Sequence, residues 1–124
     1  MPTIVMDLDG TLTIDDPRLP YADRLPNVRV IKKLREYRAQ GFRVSIYTAR
    51  NMRTYAGNVG EINANTLPVV LDWLKRHEVP YDEIHVGKPW PGRGGFYVDD
   101  RAIRPQEFIE LSLERIRELT EPLD

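Results

Sequence analysis

Apolar residues fall into two kinds of spacing along this chain. Short, nearly unbroken runs occur at 3–8 (TIVMDL), 42–48 (FRVSIYT), 84–86 (IHV) and 95–98 (GFYV), each bounded by Gly, Pro or polar residues. Runs of this length, rich in β-branched and aromatic residues, predict buried strands. Between them the apolar residues recur three and four apart. Val30, Ile31, Leu34 and Tyr37 make one stripe, with Asn27 placed to cap the helix and Gly41 to end it. Val69, Val70, Trp73 and Leu74 make a second, with Thr66 as cap and Pro68 in the first turn. Phe108, Ile109, Leu113 and Ile116 predict a final helix over 105–120. Residues 12–26, rich in Pro, Asp and Thr, read as an irregular loop or small hairpin, and 51–65 reads as mostly loop.

Strands alternating with helices predict an α/β fold, a Rossmann-like parallel sheet sandwiched by helices. In such sheets ligands bind beyond the carboxyl ends of the strands, and that is where the chemistry-bearing residues fall. The first strand ends in Asp7-Leu8-Asp9 and is followed by Gly10-Thr11. The second ends at Thr48. Lys88 follows the third, and the fourth runs into Asp99-Asp100. Two carboxylates one residue apart repel each other and lose hydration if half buried. A divalent cation, a phosphoryl group held by cations, or both would offset that cost.

The remaining bulk properties narrow the class. The chain has 124 residues, which suits one domain over 1–124. Its net charge is −1 and it has no basic run, so nucleic acid is not the expected partner. No apolar stretch approaches the ~20 residues of a membrane span, and no signal peptide is read at the start. Cysteine is absent, which excludes disulfides and thiolate metal sites and fits a reducing cytoplasm.

The four strand-end elements, Asp7-Leu8-Asp9-Gly10-Thr11, Thr48, Lys88 before Pro89, and Asp99-Asp100, resemble the motifs of the haloacid dehalogenase superfamily, in the same order, across residues 3–100. The resemblance implies a nucleophilic Asp7 that forms an aspartyl phosphate. It implies Asp9 as acid for the leaving group and then base for water. Gly10 and Thr11 would shape the phosphate cradle, Thr48 would bond a phosphate oxygen, and Lys88 would neutralise charge. Mg²⁺ would be held by Asp7, the backbone carbonyl of Asp9, and Asp99, with Asp100 assisting. An acid at position 9 favours a phosphatase or phosphomutase over a dehalogenase or an ion-pumping ATPase. The mutases carry a large cap domain; here only about fifteen loop residues follow the first strand, so a capless phosphatase with 12–26 as its flap is expected.

The segment YTARNMRTYAGNVGEINANTLPVVLDWL, together with GKPWPGRGGFYVDDRAIRP, resembles small phosphatases of capsular polysaccharide biosynthesis. That implies a phosphorylated sugar or related small metabolite as substrate. Ala49, Arg50, Asn51, Arg53, Tyr55 and Asn58 are the candidate contacts, since Arg suits phosphate or carboxylate and Asn suits hydroxyls. Trp90 is a candidate for ring stacking or an interface. His77 and His85 are read as structural or surface residues. Without a cap, either the 12–26 flap or a neighbouring copy in a homo-oligomer would close the site.

Two rival functions share some of these residues. A signalling receiver domain also pairs acids with a Thr and a Lys-Pro, but its adjacent acids follow the first strand, whereas here they come last. An inactive phosphosugar-binding module is the other.

Overall fold

In the computed structural model, which describes residues 2–121, three parallel strands are ordered β1-β2-β3. They are β1 (Thr3–Asp7), β2 (Arg43–Tyr47) and β3 (Glu83–His85). β1 registers Thr3 with Arg43 and Asp7 with Tyr47, and β2 registers Tyr47 with His85, so all three carboxyl ends reach one rim. Val44, Ser45 and Ile46 in the central strand are all buried, as a strand covered on both faces requires.

Asp82 sets where β3 begins. Its N–H donates to the Val44 carbonyl at 2.8 Å, and its carboxylate accepts the Val44 N–H at 2.8 Å. The side chain thus adds a rung to the ladder and also pairs with Arg38. The Val44 N–H, and then Arg38, hold this carboxyl below its ordinary value.

The helices are α1 (Val28–Ala39), α2 (Val59–Asn65) and α3 (Leu67–Arg76), with α4 (Pro105–Glu110) and α5 (Leu113–Thr120) toward the C-terminus. Asn27 caps α1, and Val30, Ile31, Leu34 and Tyr37 are its buried face, as the spacing predicts. In α3, Val70, Trp73 and Leu74 turn inward, and the Trp73 indole N–H donates to the Arg24 carbonyl at 2.8 Å. That bond ties the 12–26 segment to the core. The segment itself carries one antiparallel bridge, Thr13 to Pro26, and a short turn of helix at Tyr21–Asp23.

Four expectations need correction. Part of 51–65 is helical, because Asn58 accepts the Glu61 N–H and starts α2. Thr66 stands at the N-cap of α3 but makes no side-chain cap bond; its hydroxyl donates instead to Asn51 Oδ1 at 2.7 Å. The final helix is two, broken at Leu111, with Ser112 capping α5 by accepting the Arg115 N–H. The segment 95–98 is not a strand in this structure.

The chain divides into two compact units, Met1–Trp90 and Pro91–Asp124. The first holds the sheet, α1 to α3 and nearly all of the buried apolar residues. The second holds α4, which buries Phe108, and α5, which buries no residue although Leu113 and Ile116 were expected in the core. Among the described residues no helix is long and apolar enough to cross a membrane.

Two stability measurements check this account. Leu34 is fully buried, so Leu34→Ala should lose about 2–5 kcal/mol in urea unfolding, whereas Val28→Ala, at a position 68% exposed, should stay within about 0.5 kcal/mol. Asp82 has a depressed carboxyl, so its contribution is present above the ordinary value of 3.8 and is lost as pH falls through the lower folded value. Asp82→Asn should therefore melt below the wild type at pH 7, and the difference should shrink below about pH 4. A difference unchanged across that range would sink the assignment.

Candidate active site

The rim begins with a turn. After Asp7 the chain leaves β1 through Leu8–Leu12, with Leu8 and Leu12 fully buried as anchors. Asp9 (φ −75°, ψ 126°) and Gly10 (φ 80°, ψ 2°) are the central pair of a type II turn, whose second position requires positive φ and hence glycine. The turn is pinned from below, where the Gly10 N–H donates to the buried Thr13 hydroxyl at 3.2 Å. Two carboxylates are thereby held at the strand end in different surroundings.

Asp7 is half-buried, its side chain 38% exposed. The Thr11 hydroxyl donates to one carboxylate oxygen at 3.2 Å, and the Lys88 ammonium lies 3.6 Å from the other. Burial pushes this carboxyl above its ordinary value; Lys88 and Thr11 pull the other way, and the charge of Asp9 adds to the rise. Lys88 is delivered by the turn after β3. Gly87 has φ 85°, and a Cβ there would lie 3.2 Å from a Val59 methyl, so the position is held for glycine on two counts. The Lys88 N–H then donates to the Thr48 carbonyl at 3.1 Å, fixing the loop after β3 against the end of β2.

Asp9 is occupied by one partner. Arg50 donates to both its oxygens, at 3.1 Å from Nε and 2.8 Å from Nη2. The Arg50 side chain is only 1% exposed, and its Nη1 is buried without a partner. Thr48, also buried, accepts the Arg50 N–H on its hydroxyl at 3.0 Å. The Tyr21 ring lies 4.3 Å from the Arg50 guanidinium carbon. Tyr21 belongs to the 12–26 segment and is the site residue that sequence reasoning missed. Its position between Pro20 and Arg24 carried no periodic signal, and the pairing is visible only in three dimensions.

The structure thus brings Asp7, Asp9, Gly10, Thr11, Thr48, Arg50 and Lys88 to one rim. Ala49 is the link between Thr48 and Arg50. Asn51 shapes the loop: it adopts φ 62°, accepts from Thr66 and donates to Thr54. Asn58 is the cap of α2. Arg53 lies 5.8 Å from the ring of Trp90, a cation over an exposed aromatic face. His77 packs on Trp73 at 4.5 Å and His85 pairs with Glu83.

Asp99 and Asp100 lie in an exposed turn of the second unit, where Asp99 accepts the Arg101 N–H at 2.8 Å. The donors that would suit Mg²⁺ are hard oxygens, and the sheet unit offers Asp7 and the main chain at Asp9. Among the described residues no three His, Cys, Asp or Glu side chains are clustered to hold a metal.

No protein-family model and no curated protein matches the sequence. Solved structures do. The crystal structure of a target protein from Vibrio cholerae is 56% identical, covers 98% of each chain and superposes with a TM-score of 0.92. Two chains from the Pnkp1/Rnl/Hen1 RNA repair complex are each 24% identical. One matches 68% of this chain and 25% of its own length at TM-score 0.50, and the other 89% and 34% at 0.52. At that identity the likeness shows the fold alone. The identity to the Vibrio cholerae protein extends over almost all of both molecules, and the chain belongs with it to one family.

Proposed function

We propose that this protein is a Mg²⁺-dependent phosphomonoesterase of the haloacid dehalogenase type, acting through an aspartyl phosphate. The observation that carries the reading is the Asp7 carboxylate at the end of β1, placed between the Lys88 ammonium and the Thr11 hydroxyl. A carboxylate so flanked is a nucleophile beside the positive charge and donor that an entering phosphoryl group needs.

In the first step an Asp7 oxygen attacks phosphorus, the bond to the leaving oxygen breaks, and Asp9 passes a proton to that oxygen. In the second, water attacks the phosphoryl group and returns a proton to Asp9. The bond to Asp7 breaks, and inorganic phosphate leaves. Both Asp9 oxygens are engaged by Arg50, so one must be released for Asp9 to carry the proton. Arg50 has a free donor at Nη1 that can turn to a phosphate oxygen as this happens. Thr48 holds the Arg50 backbone in place meanwhile. Asp7 and the carbonyl of Asp9 would hold Mg²⁺, which would neutralise charge on the phosphoryl oxygens.

For the substrate we propose a phosphorylated sugar or related small metabolite in polysaccharide biosynthesis. The Arg53 and Trp90 pair supports this, since an exposed indole suits the apolar face of a sugar ring and Arg a second anionic group.

Screening the purified protein with Mg²⁺ against sugar phosphates, nucleotides and phosphoamino acids tests the reading; no hydrolysis of any monoester would end it. Asp7→Asn should lower turnover by at least ~10³-fold, because an amide does not attack phosphorus. The same substitution should raise the melting temperature at pH 7. The folded Asp7 carboxyl titrates above 3.8, so ionising it costs stability as pH rises through that window, and the gain from Asn should vanish toward pH 4. Asp9→Asn should slow the first step more for a sugar phosphate than for nitrophenyl phosphate, by roughly 10-fold or more, because only the alkoxide needs a proton. Single-turnover rates read that step alone; equal losses for both esters would remove the acid role.

A further inference from the structure

The 12–26 segment is fastened along its length, and every anchor lies in the sheet unit. The Ile14 N–H donates to the Leu25 carbonyl at 2.8 Å and the Asn27 N–H to the Leu12 carbonyl at 2.8 Å, so its two ends are joined. Trp73 and Arg76 of α3, three residues apart and so on one side of the helix, reach the turn between those ends. The Trp73 indole N–H bonds the Arg24 carbonyl, and the Arg76 guanidinium donates to the Ala22 carbonyl at 2.6 Å. Pro20, whose ring fixes its φ near the observed −63°, leads into that turn. The turn is Tyr21–Asp23, and its first residue is the one that meets Arg50.

We infer that Tyr21 is a positioning residue of this site: its ring, held on the fastened turn, keeps the Arg50 guanidinium in the orientation that engages Asp9 and leaves Nη1 as the donor for an arriving phosphoryl oxygen. The positioning follows from contacts within the sheet unit; its effect on catalysis rests on the phosphatase reading. A guanidinium is a planar fork whose edges donate and whose faces stack. Asp9 takes one edge, through Nε and Nη2. Tyr21 takes a face, with its ring centroid 4.3 Å from the guanidinium carbon. A fork held by an edge and a face keeps its remaining donor, Nη1, in one direction, and no other described residue bonds that atom. Without the ring, rotation of the side chain would let Nη1 turn aside once Asp9 releases an oxygen.

The ring is itself braced by a second cation. The Arg24 guanidinium carbon lies 4.8 Å from the same centroid. Arg24 is fixed in turn, since its Nε donates to the Leu19 carbonyl at 2.9 Å and its Nη1 to Asp15 at 3.0 Å. Two guanidinium groups beside one ring repel each other, and each brings its own carboxylate, Asp15 for Arg24 and Asp9 for Arg50. An aromatic side chain suits this place better than an aliphatic one of similar size, because only a ring face attracts a cation.

NMR of the arginine side chains tests the positioning without substrate. In the wild type the Arg50 Nε–H, assigned from its own backbone amide, should exchange with water at least ~10-fold more slowly than that of an exposed arginine. Tyr21→Leu should remove most of that protection and Tyr21→Phe should keep it; Tyr21→Met replaces the Leu variant should that one not fold. Protection absent from the wild type, or unchanged when the ring is removed, overturns the positioning. In single-turnover assays with nitrophenyl phosphate and Mg²⁺, Tyr21→Leu should react about 10- to 100-fold more slowly, while Tyr21→Phe should stay within about twofold of the wild type. Equal losses in the two variants, or no loss in either, would overturn the part of the ring in catalysis. A wild type that hydrolyses no ester while its Arg50 signal depends on Tyr21 would remove the phosphatase reading and leave the positioning standing.

Discussion

The bond between Arg50 and Asp9 is the contact on which the rim depends. A guanidinium buried this deeply needs a carboxylate, and truncating one member of such a pair leaves an uncompensated charge that costs about 3–5 kcal/mol. The pair joins the turn after β1 to the loop after β2. Thr48 fixes the backbone of Arg50, the Lys88 N–H is bonded to Thr48, and the Lys88 side chain returns to Asp7. Three strand ends are therefore cross-braced by polar contacts above a core in which Leu8, Leu12, Val44 and Ile46 are fully buried. The apolar core sets where the strands end, and the polar braces set where the functional groups point.

The two acids at the end of β1 differ because of this bracing. Asp9 is engaged at both oxygens by a buried cation. Asp7 has only a hydroxyl and a more distant ammonium, and burial raises its carboxyl. Neighbouring carboxylates in unlike surroundings can take unlike roles. Here the less committed one faces the rim, where a phosphoryl group would arrive. On the proposed phosphatase reading, the burial that costs stability there would also leave that carboxylate available to react.

Much of this was legible in the sequence where local rules and tertiary packing agree. The stripes of α1 and α3, the three strands and the grouping of Asp7, Asp9, Thr48 and Lys88 at their ends all follow from spacing and strand-end logic. The misses have physical causes. α2 was hidden because its apolar content is a single buried residue, Ile62, although Asn58 followed three residues later by Glu61 is a capping signal. The break at Leu111 was hidden because the apolar stripe continues across it, while Ser112 competes for the backbone as a cap. The stacking of Tyr21 on Arg50 joins residues far apart in sequence and has no local signature.

The segment 95–98 is the instructive case. Its composition is that of a buried strand, yet Phe96 and Val98 are among the most exposed apolar residues of the chain. Burying a Phe or Val side chain is worth roughly 1.5–3 kcal/mol, so leaving both in water opposes the main driving force of folding. A sequence encodes the tendency to form a strand but not the neighbour that completes it, because the ladder hydrogen bonds that make a strand are formed only in three dimensions.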